Sequence, residues 1–503
     1  MINNFIPTIG LEIHCSLNTK SKMFSDSKSC HNDKPNTNIS FLDLALPGVL
    51  PTVNKEAVKK GIILAHTLGM EIDKTLIFDR KNYFYQDLPK GFQITQQYHP
   101  IGRKGSIKLD NGTIINIERI HLEEDTAKEQ TIKGKTYLDY NRAGMPLIEI
   151  VCRPDIHSAE HAIEFLTKLK RNLVFMNVSN GKMEDGSLRV DVNISIAPVG
   201  SKKLGERVEI KNINSFANVS RAINYEVNRQ IGMILKNQEI ENCTRRWDEA
   251  KNKTIFMRRK DTDIEYNYFS EPNISPISLE DKFINDVLQH LNKTPDEITK
   301  ELKSKNLKSE LIEQLLNDYE LYKIFNSVET RVNDINLVVS WIMVELVGYL
   351  KTNNLQLANI NKNHINLIVK LLQLLKSGDV NGKQAKVIFP EMLKDEKDPS
   401  VIMGEKNLVQ IKDEKILENI LNKIIDQNIK MLDQFENREE RVLKYFLGML
   451  MKETKGQANP NIANNVLNKL IKNMWQIFQH SPSIARARWR ITHLWRPFFM
   501  CSS

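Results

Sequence analysis

The sequence predicts an α+β fold, and two observations along its 503 residues carry that expectation. Up to about residue 290 the apolar residues mostly alternate with polar ones in short runs punctuated by Gly, Pro and Asn. That is the pattern of a mixed or antiparallel sheet with some helices. From about residue 295 the period lengthens. "DEITKELKSKNLKSELIEQLLNDYELYKIFNSV" carries Leu, Ile and Tyr at helical spacing, and "INLVVSWIMVELVGYLKTNN" reads as a strongly apolar helix. The change falls near "SEPNISPISLEDK", and a second break near "KTNNLQLANINKNH" precedes shorter helices joined by Gly, Asn and Pro turns. No fixed-period repeat is seen.

Each strand of the first part is defined by its parity. In "TIGLEIHCSL", Ile9, Leu11, Ile13 and Leu17 share one face, and Glu12 and His14 share the other. Cys15 points with the isoleucines, which removes it as a nucleophile for His14. "SLRVDVNISI" repeats the arrangement, with Arg189, Asp191 and Asn193 opposite Leu188, Val190, Val192, Ile194 and Ile196. "RVEIKNI" sets Arg207, Glu209 and Lys211 against Val208 and Ile210, and "PLIEIV" sets Glu149 against Ile148 and Ile150. One such strand is ordinary half-exposed antiparallel sheet. The repetition of a carboxylate on the wet face of every strand points to a ligand.

Composition bounds what that ligand is. The 71 basic and 62 acidic residues leave a net charge of +9, which permits a polyanionic partner without requiring one. The cysteines at 15, 30, 152, 243 and 501 form no CxxC pair and no disulfide framework, so reduced thiols in a cytoplasmic protein are expected. "MINNFIPTIG" has no leader character and no long uncharged apolar run occurs, so no membrane association is expected.

Two further stretches suggest phosphate chemistry. "RIHLEEDTAKE" clusters Glu123, Glu124 and Asp125 at the end of a strand, a set of oxygen donors suited to Mg²⁺. "FDRKNYFYQDLPKGFQITQ" gathers Arg80, Lys81, Tyr83 and Tyr85, in which a cation could neutralise a transferring phosphoryl group. No GxxxxGK[ST], GxGxxG or HExxH is present, so an ATP site here is not a P-loop.

These stretches, with "LALPGVLPTVNKEAV", "YNRAGMPLIEIV", "MEDGSLRVDVNIS", "EIKNINSF", "TRRWDEAKNKT", "EYNYFSEP", "GKQAKVIFPEM" and "KGQANPN", run collinearly from Ile9 to Asn473. In that order the chain resembles the GatB/GatE family, the B subunits of aspartyl/glutamyl-tRNA amidotransferases. The resemblance implies a glutamine synthetase-like cradle over 1–292, a helical domain over 293–354 and a small helical tail domain over 355–473 that binds tRNA. It implies ATP-dependent phosphorylation of the side-chain carboxylate of Glu-tRNA(Gln) or Asp-tRNA(Asn), then displacement of phosphate by ammonia. The implied partners are a separate amidase that supplies the ammonia, a small clamp protein that completes a heterotrimer, and the misacylated tRNA.

Carried over by position, the resemblance implies Lys81, Glu124 and Asp191 as catalytic residues. It implies Lys81, Glu149, Asn193 and Lys211 around ATP, and Glu12, His14, Glu124, Glu149, Asp191 and Glu209 around Mg²⁺. Lys383, Lys386 and Lys455 are expected to meet tRNA. Simple alternation disagrees at one point, since it sets Glu123 rather than Glu124 beside His121. Three departures from the family stand out. "FSDSKSCHNDKPNTNIS" keeps only Cys30 of a four-cysteine knuckle, so no zinc is expected. Arg153 stands in "VCRPD" where an acid is usual, and residues 474–503 form an Arg- and Trp-rich extension of the kind a frame-shift produces. A glutamine synthetase-like ligase on a free amino acid and a noncatalytic tRNA scaffold are the alternative readings.

Overall fold

The computed structural model describes residues 4–480, apart from 31–32, 260–265, 407, 409–410, 412 and 455. The fold is α+β and divides into two compact units, Met1–Ser304 and Lys305–Ser503.

The first unit holds the strands. In chain order they are β1 (Phe5–Ser16), β2 (Glu71–Ile72), β3 (Thr75–Leu76), β4 (Asp79–Asn82), β5 (Phe92–Thr95), β6 (Gly102–Lys108), β7 (Ile114–Glu124) and β8 (Lys128–Ile132). They continue as β9 (Lys135–Asp139), β10 (Pro146–Cys152), β11 (Leu188–Pro198), β12 (Val208–Ile213), β13 (Cys243–Asp248), β14 (Lys253–Arg259), β15 (Asn267–Ser270) and β16 (Ile277–Ser278). Nine of them make one sheet in the order β14-β13-β12-β11-β1-β10-β7-β6-β2. Every pair in it is antiparallel except β12 with β13. A parallel pair needs a long crossover, and helix α3 (Phe216–Leu235) supplies it. A separate small sheet runs β15-β4-β5.

Helices α1 (Lys55–Thr67), α2 (Ala159–Phe175) and α3 pack on the large sheet. Each begins at a polar cap that satisfies otherwise orphaned backbone N–H groups. Asn54 accepts from Glu56 and Ala57, Ser158 from His161, and Ser215 from Asn218. Gly61 lets α1 approach closely, since a Cβ there would lie 2.8 Å from Cδ1 of Ile101. Ile9, Leu11, Ile13 and Cys15 of β1 are no more than 1% exposed, and Val190, Val192, Ile148, Ile150, Ile120 and Leu122 extend the same core. Burial pushes the Cys15 thiol up to about 12, as expected of an inert core thiol. After β1 the loop is pinned by Lys22, whose buried Nζ donates to Asp43 and to the Tyr140 carbonyl, each at 3.1 Å.

The second unit is built of helices joined by turns among its described residues, with a parallel β-bridge between Ile411 and Ala458. Helix Tyr319–Val332 starts on Asp318 and stops at Asn333, which takes the left-handed conformation with φ 53°. Ile335–Thr352 is an apolar helix of 18 residues with mean hydropathy 1.3, long and apolar enough by composition to cross a membrane. Within this unit Trp341, Ile342, Leu346 and Leu350 are buried, while Val344 and Val347 are exposed. Helices Glu414–Gln427, Phe435–Glu453 and Pro460–His480 enclose a core of their own that includes Leu421, Ile425, Phe446, Leu450, Leu467 and Ile471. The last helix runs past Asn473, and residues 481–503 of the atypical extension lie outside the described residues.

Candidate active site

The strand order places the polar face of β1 between those of β10 and β11. His14 lies opposite Glu149, and Glu149 in turn lies opposite His121 on β7. On the other side Glu12 lies opposite Asp191. The same period that buries Leu11 and Ile13 therefore stacks acids and imidazoles across four adjacent strands. Nε2 of His14 is 3.6 Å from Glu123, 3.6 Å from Glu149 and 3.9 Å from Glu12. Nε2 of His121 is 2.9 Å from Glu149 and 3.5 Å from Glu123. Two ligand sets result, Glu12–His14–Glu149 and His121–Glu123–Glu149, with the donor atoms of each within 4.8 Å of one another. They share Glu149.

The cluster floors a cavity of about 960 Å³. Lys81 on β4 lines it from the small sheet, its Nζ 4.7 Å from the Tyr266 ring centroid. Lys211 enters from β12, 2.6 Å from Asp191 and 3.3 Å from Glu209, while Thr244 donates to Glu209 at 2.8 Å. Glu12, Glu149, Glu209, Lys81 and Lys211 thus line one cavity. His14, Asp191 and Lys211 line an adjoining one of about 540 Å³. The Asn193 Oδ1 is buried without a hydrogen-bond partner among the described residues, and so is the Nδ1 of His121.

Glu124 stands apart from both ligand sets. It has the opposite parity to His121, it belongs to neither ligand set, and it is spent on an ion pair with Lys90 and on the Ile94 N–H at 3.0 Å. Glu123 takes the place beside His121, with Thr95 donating to it at 3.4 Å. The strand bulges once near Glu118 and then pairs regularly with β10 from Arg119 to Glu124, so Glu123 shares the parity of His121 and Glu124 does not. Arg80 also faces away from Lys81, clamping Glu271 through two bonds of 2.6 and 3.0 Å. Arg153 is exposed beyond β10. In the second unit Lys383 and Lys386 are exposed, Lys386 lies 2.7 Å from Glu345, and Lys455 lies outside the described residues.

Mutual charge sets the protonation states. Burial opposes protonation of His14, but a hydrogen bond to Glu149 and the carboxylates of Glu149, Glu123 and Glu12 lift it to about 9. His121 is likewise pushed by burial one way and by Glu149 and Glu123 more strongly the other, to about 9. Burial works to raise Glu149, yet the two imidazoles hold it well below the usual carboxylate range. Burial, with Glu149 beside it, raises Glu12. Lys81 and Lys211 are both raised despite burial, Lys81 by Tyr268, Glu123 and Glu149, and Lys211 by Asp191 and Glu209. Both lysines are therefore cations at neutral pH.

A divalent cation fits this donor set. Carboxylate oxygens suit Mg²⁺, and the imidazoles suit Mn²⁺ as well. With pKa values lifted to about 9, the two imidazoles offset the carboxylates of Glu123 and Glu149, a role that a cation would take over. Sequence reading misses His121 as a ligand, although its parity with Glu123 on an eleven-residue strand is the signal that finds it. It also misses the cavity's rim of Tyr266, Tyr268, Arg207 and Arg258, which chain folding collects from separate elements.

Comparison with known proteins identifies the chain's relatives. A family model described as the GatB/GatE catalytic domain matches residues 7–285, and one described as the GatB domain matches 323–471. The chain is 49% identical over 474 residues to the B subunit of the aspartyl/glutamyl-tRNA(Asn/Gln) amidotransferase from Malacoplasma penetrans, covering 94% of this chain and 98% of that protein. The protein of the same name from Ureaplasma urealyticum is 46% identical over 476 residues, covering 94% and 100%. That from Mycoplasma mobile is 44% identical over 475 residues, covering 93% and 98%. With a catalytic-domain match over more than half of its length and relatives similar along nearly all of it, the chain belongs to the GatB/GatE family.

Proposed function

We propose that the chain is the B subunit of a tRNA-dependent amidotransferase, the component that activates the side-chain carboxylate of Glu-tRNA(Gln) or Asp-tRNA(Asn). The observation that carries this reading is the meeting of two histidines and three glutamates beneath the large cavity that Lys81 lines. In the reaction, a carboxylate oxygen of the tRNA-borne amino acid attacks the γ-phosphorus of ATP and ADP leaves. Ammonia then attacks the acyl carbon and phosphate departs, leaving the amide.

The residues divide that work. Lys81, held charged, neutralises phosphate oxygens from the small-sheet wall, and Lys211, steered by Asp191 and Glu209, does so from β12. Glu12, His14, His121, Glu123 and Glu149 would hold Mg²⁺, which supplies charge neutralisation and orientation to the phosphates. Asn193, register-paired with Glu209, offers a buried oxygen that has no hydrogen-bond partner among the described residues.

The reading takes the first unit as a glutamine synthetase-like cradle, supported by a broad, mostly antiparallel sheet with helices packed on it. Residues 293–354 are its helical domain, and 355–473 are its tRNA-holding tail, to which exposed Lys383 and Lys386 belong. The ammonia-supplying amidase and the small clamp protein complete the enzyme. The cytoplasm is the proposed compartment, which suits the free thiols of Cys15, Cys30, Cys152 and Cys243.

The test is reconstitution with both partner proteins, glutamine, ATP and Mg²⁺, followed by analysis of the amino acid on the tRNA. Conversion of Glu-tRNA(Gln) or Asp-tRNA(Asn) is expected. Lys81→Ala should lower the turnover rate about a hundredfold, the scale of losing one preorganised charge at a transition state. Full-rate turnover by Lys81→Ala would remove that lysine from the site.

A further inference from the structure

The amidotransferase reading imposes a covalent constraint that the cavity must meet. The carboxylate to be activated belongs to an amino acid esterified to the last ribose of a tRNA. When that carboxylate is seated over the histidine–glutamate cluster, the last nucleotide lies one amino-acid length away, at the mouth of the same cavity.

The described residues of that mouth are aromatic and basic. Phe84, in the connection from β4 to β5, is 93% exposed, and Tyr85 beside it is 55% exposed. Both line the cavity together with Tyr83, Tyr266, Arg207 and Arg258. Tyr83 stands edge-on to Tyr85 and to Tyr266, with ring centroids 5.7 Å apart in each case. Nη1 of Arg258 donates to the Tyr85 hydroxyl at 2.9 Å, which fixes that ring while the guanidinium stays exposed. Across the turn stands Gly91, with φ 74°, at which a Cβ would lie 3.4 Å from the Phe84 ring. The positive φ of Gly91 shapes the turn, and the Phe84 ring projects almost wholly into solvent.

A phenyl ring held in water is unfavourable by the hydrophobic effect, and nothing in the site's phosphate chemistry uses it. Exposed rings interleaved with guanidinium groups are instead the surface that receives unpaired bases, because every base has a stacking face and every phosphate needs a cation. Protein interfaces also gather aromatic rings and arginine, so what selects RNA here is the covalent tie between the reacting carboxylate and the last nucleotide of the tRNA.

We infer that Phe84, Tyr85 and Tyr266, flanked by Arg207 and Arg258, form a platform that stacks the unpaired 3′-terminal bases of the aminoacyl-tRNA and so presents its ester over the cluster. The inference rests on the amidotransferase reading, and it adds a binding site for single-stranded RNA at the cavity mouth. The platform positions the substrate and takes no part in bond making.

The experiment uses the reconstituted heterotrimer. Binding is measured for intact uncharged tRNA and for the same tRNA with its unpaired 3′-terminal nucleotides removed, and steady-state kinetics are measured with the aminoacylated form. Wild-type enzyme should bind the shortened tRNA less tightly. Phe84→Ala should raise KM for aminoacyl-tRNA about tenfold, as expected for one lost base stack. It should leave KM for ATP unchanged and should bind intact and shortened tRNA more nearly alike, while Phe84→Tyr restores the wild-type values. If Phe84→Ala and Tyr85→Ala enzymes still lose as much affinity as wild type on shortening, the platform is overturned. If Phe84→Ala instead fails to assemble with the partner proteins on size-exclusion chromatography, the face is a protein contact and the platform is again overturned. Wild-type turnover of the aminoacyl-tRNA in either case keeps the amidotransferase reading intact, whereas absence of turnover defeats that reading itself.

Discussion

The two faces of the nine-stranded sheet come from the same strands and are stabilised in opposite ways. On one, Leu11, Ile13, Val190, Val192 and Ile150 lie under helices and are at most 1% exposed, so every neighbour supports every other. On the other, Glu12, His14, Glu149, His121 and Glu123 crowd like charges together and hold them with protons. A face built by burial resists change of shape. A face built from opposed charges depends on pH and responds to a cation, which is what a site for phosphoryl transfer requires.

Substitutions should separate the two faces. Ile13→Ala should cost about 2–5 kcal/mol of stability, from lost transfer energy and a cavity. Chemical denaturation measures this, and the folded fraction should retain wild-type affinity for metal. A loss well below about 1 kcal/mol would mean that β1 packs loosely. Glu123→Gln should lower Mn²⁺ or Mg²⁺ affinity at least about tenfold, whereas Glu124→Gln should leave it near wild type because Glu124 is engaged with Lys90 and Ile94. Titration calorimetry on the pair decides the matter, and the reverse ranking would restore Glu124 to the metal site.

The charged face also predicts a pH profile. His14 and His121 titrate near 9 in the metal-free fold against an ordinary value of 6.5. Their raised pKa values contribute stability that is fully present below pH 6.5 and is lost as pH rises through about 9. Over the same window metal affinity should rise, because the imidazoles must shed protons to bind. A melting temperature and a metal affinity both flat across that range would contradict these protonation states. The smallest effect is expected far from either face. Lys386→Ala removes a pair with Glu345 and should change stability by less than about 1 kcal/mol, while lowering the salt dependence of tRNA binding by about one phosphate contact.

The sheet is legible in the sequence because its period is two and its core face is almost purely aliphatic. Parity alone places Glu12, His14, Glu149 and Asp191 each on the polar face of its strand. Glu123 and Glu124 show the limit. Parity favours Glu123, and the structure sets that residue beside both histidines. Arg80 and Lys81 look like one basic group in the sequence, yet the small sheet turns them to opposite sides, one to Glu271 and one to the cavity.

By itself the sequence determined which residues share a strand face, since alternation is a local property of the pleated backbone. It also determined the passage from strands to helices, since period is local too. Only the tertiary structure decided which faces meet. The neighbours of β1 lie far from it in sequence, on β10 and β11, and the small sheet carries Lys81 to the cavity wall. No local pattern encodes such pairings, because they are fixed by long-range burial and by strand order. For the same reason Tyr266, Arg207 and Phe84, each unremarkable in its own segment, become one surface only after the chain has folded.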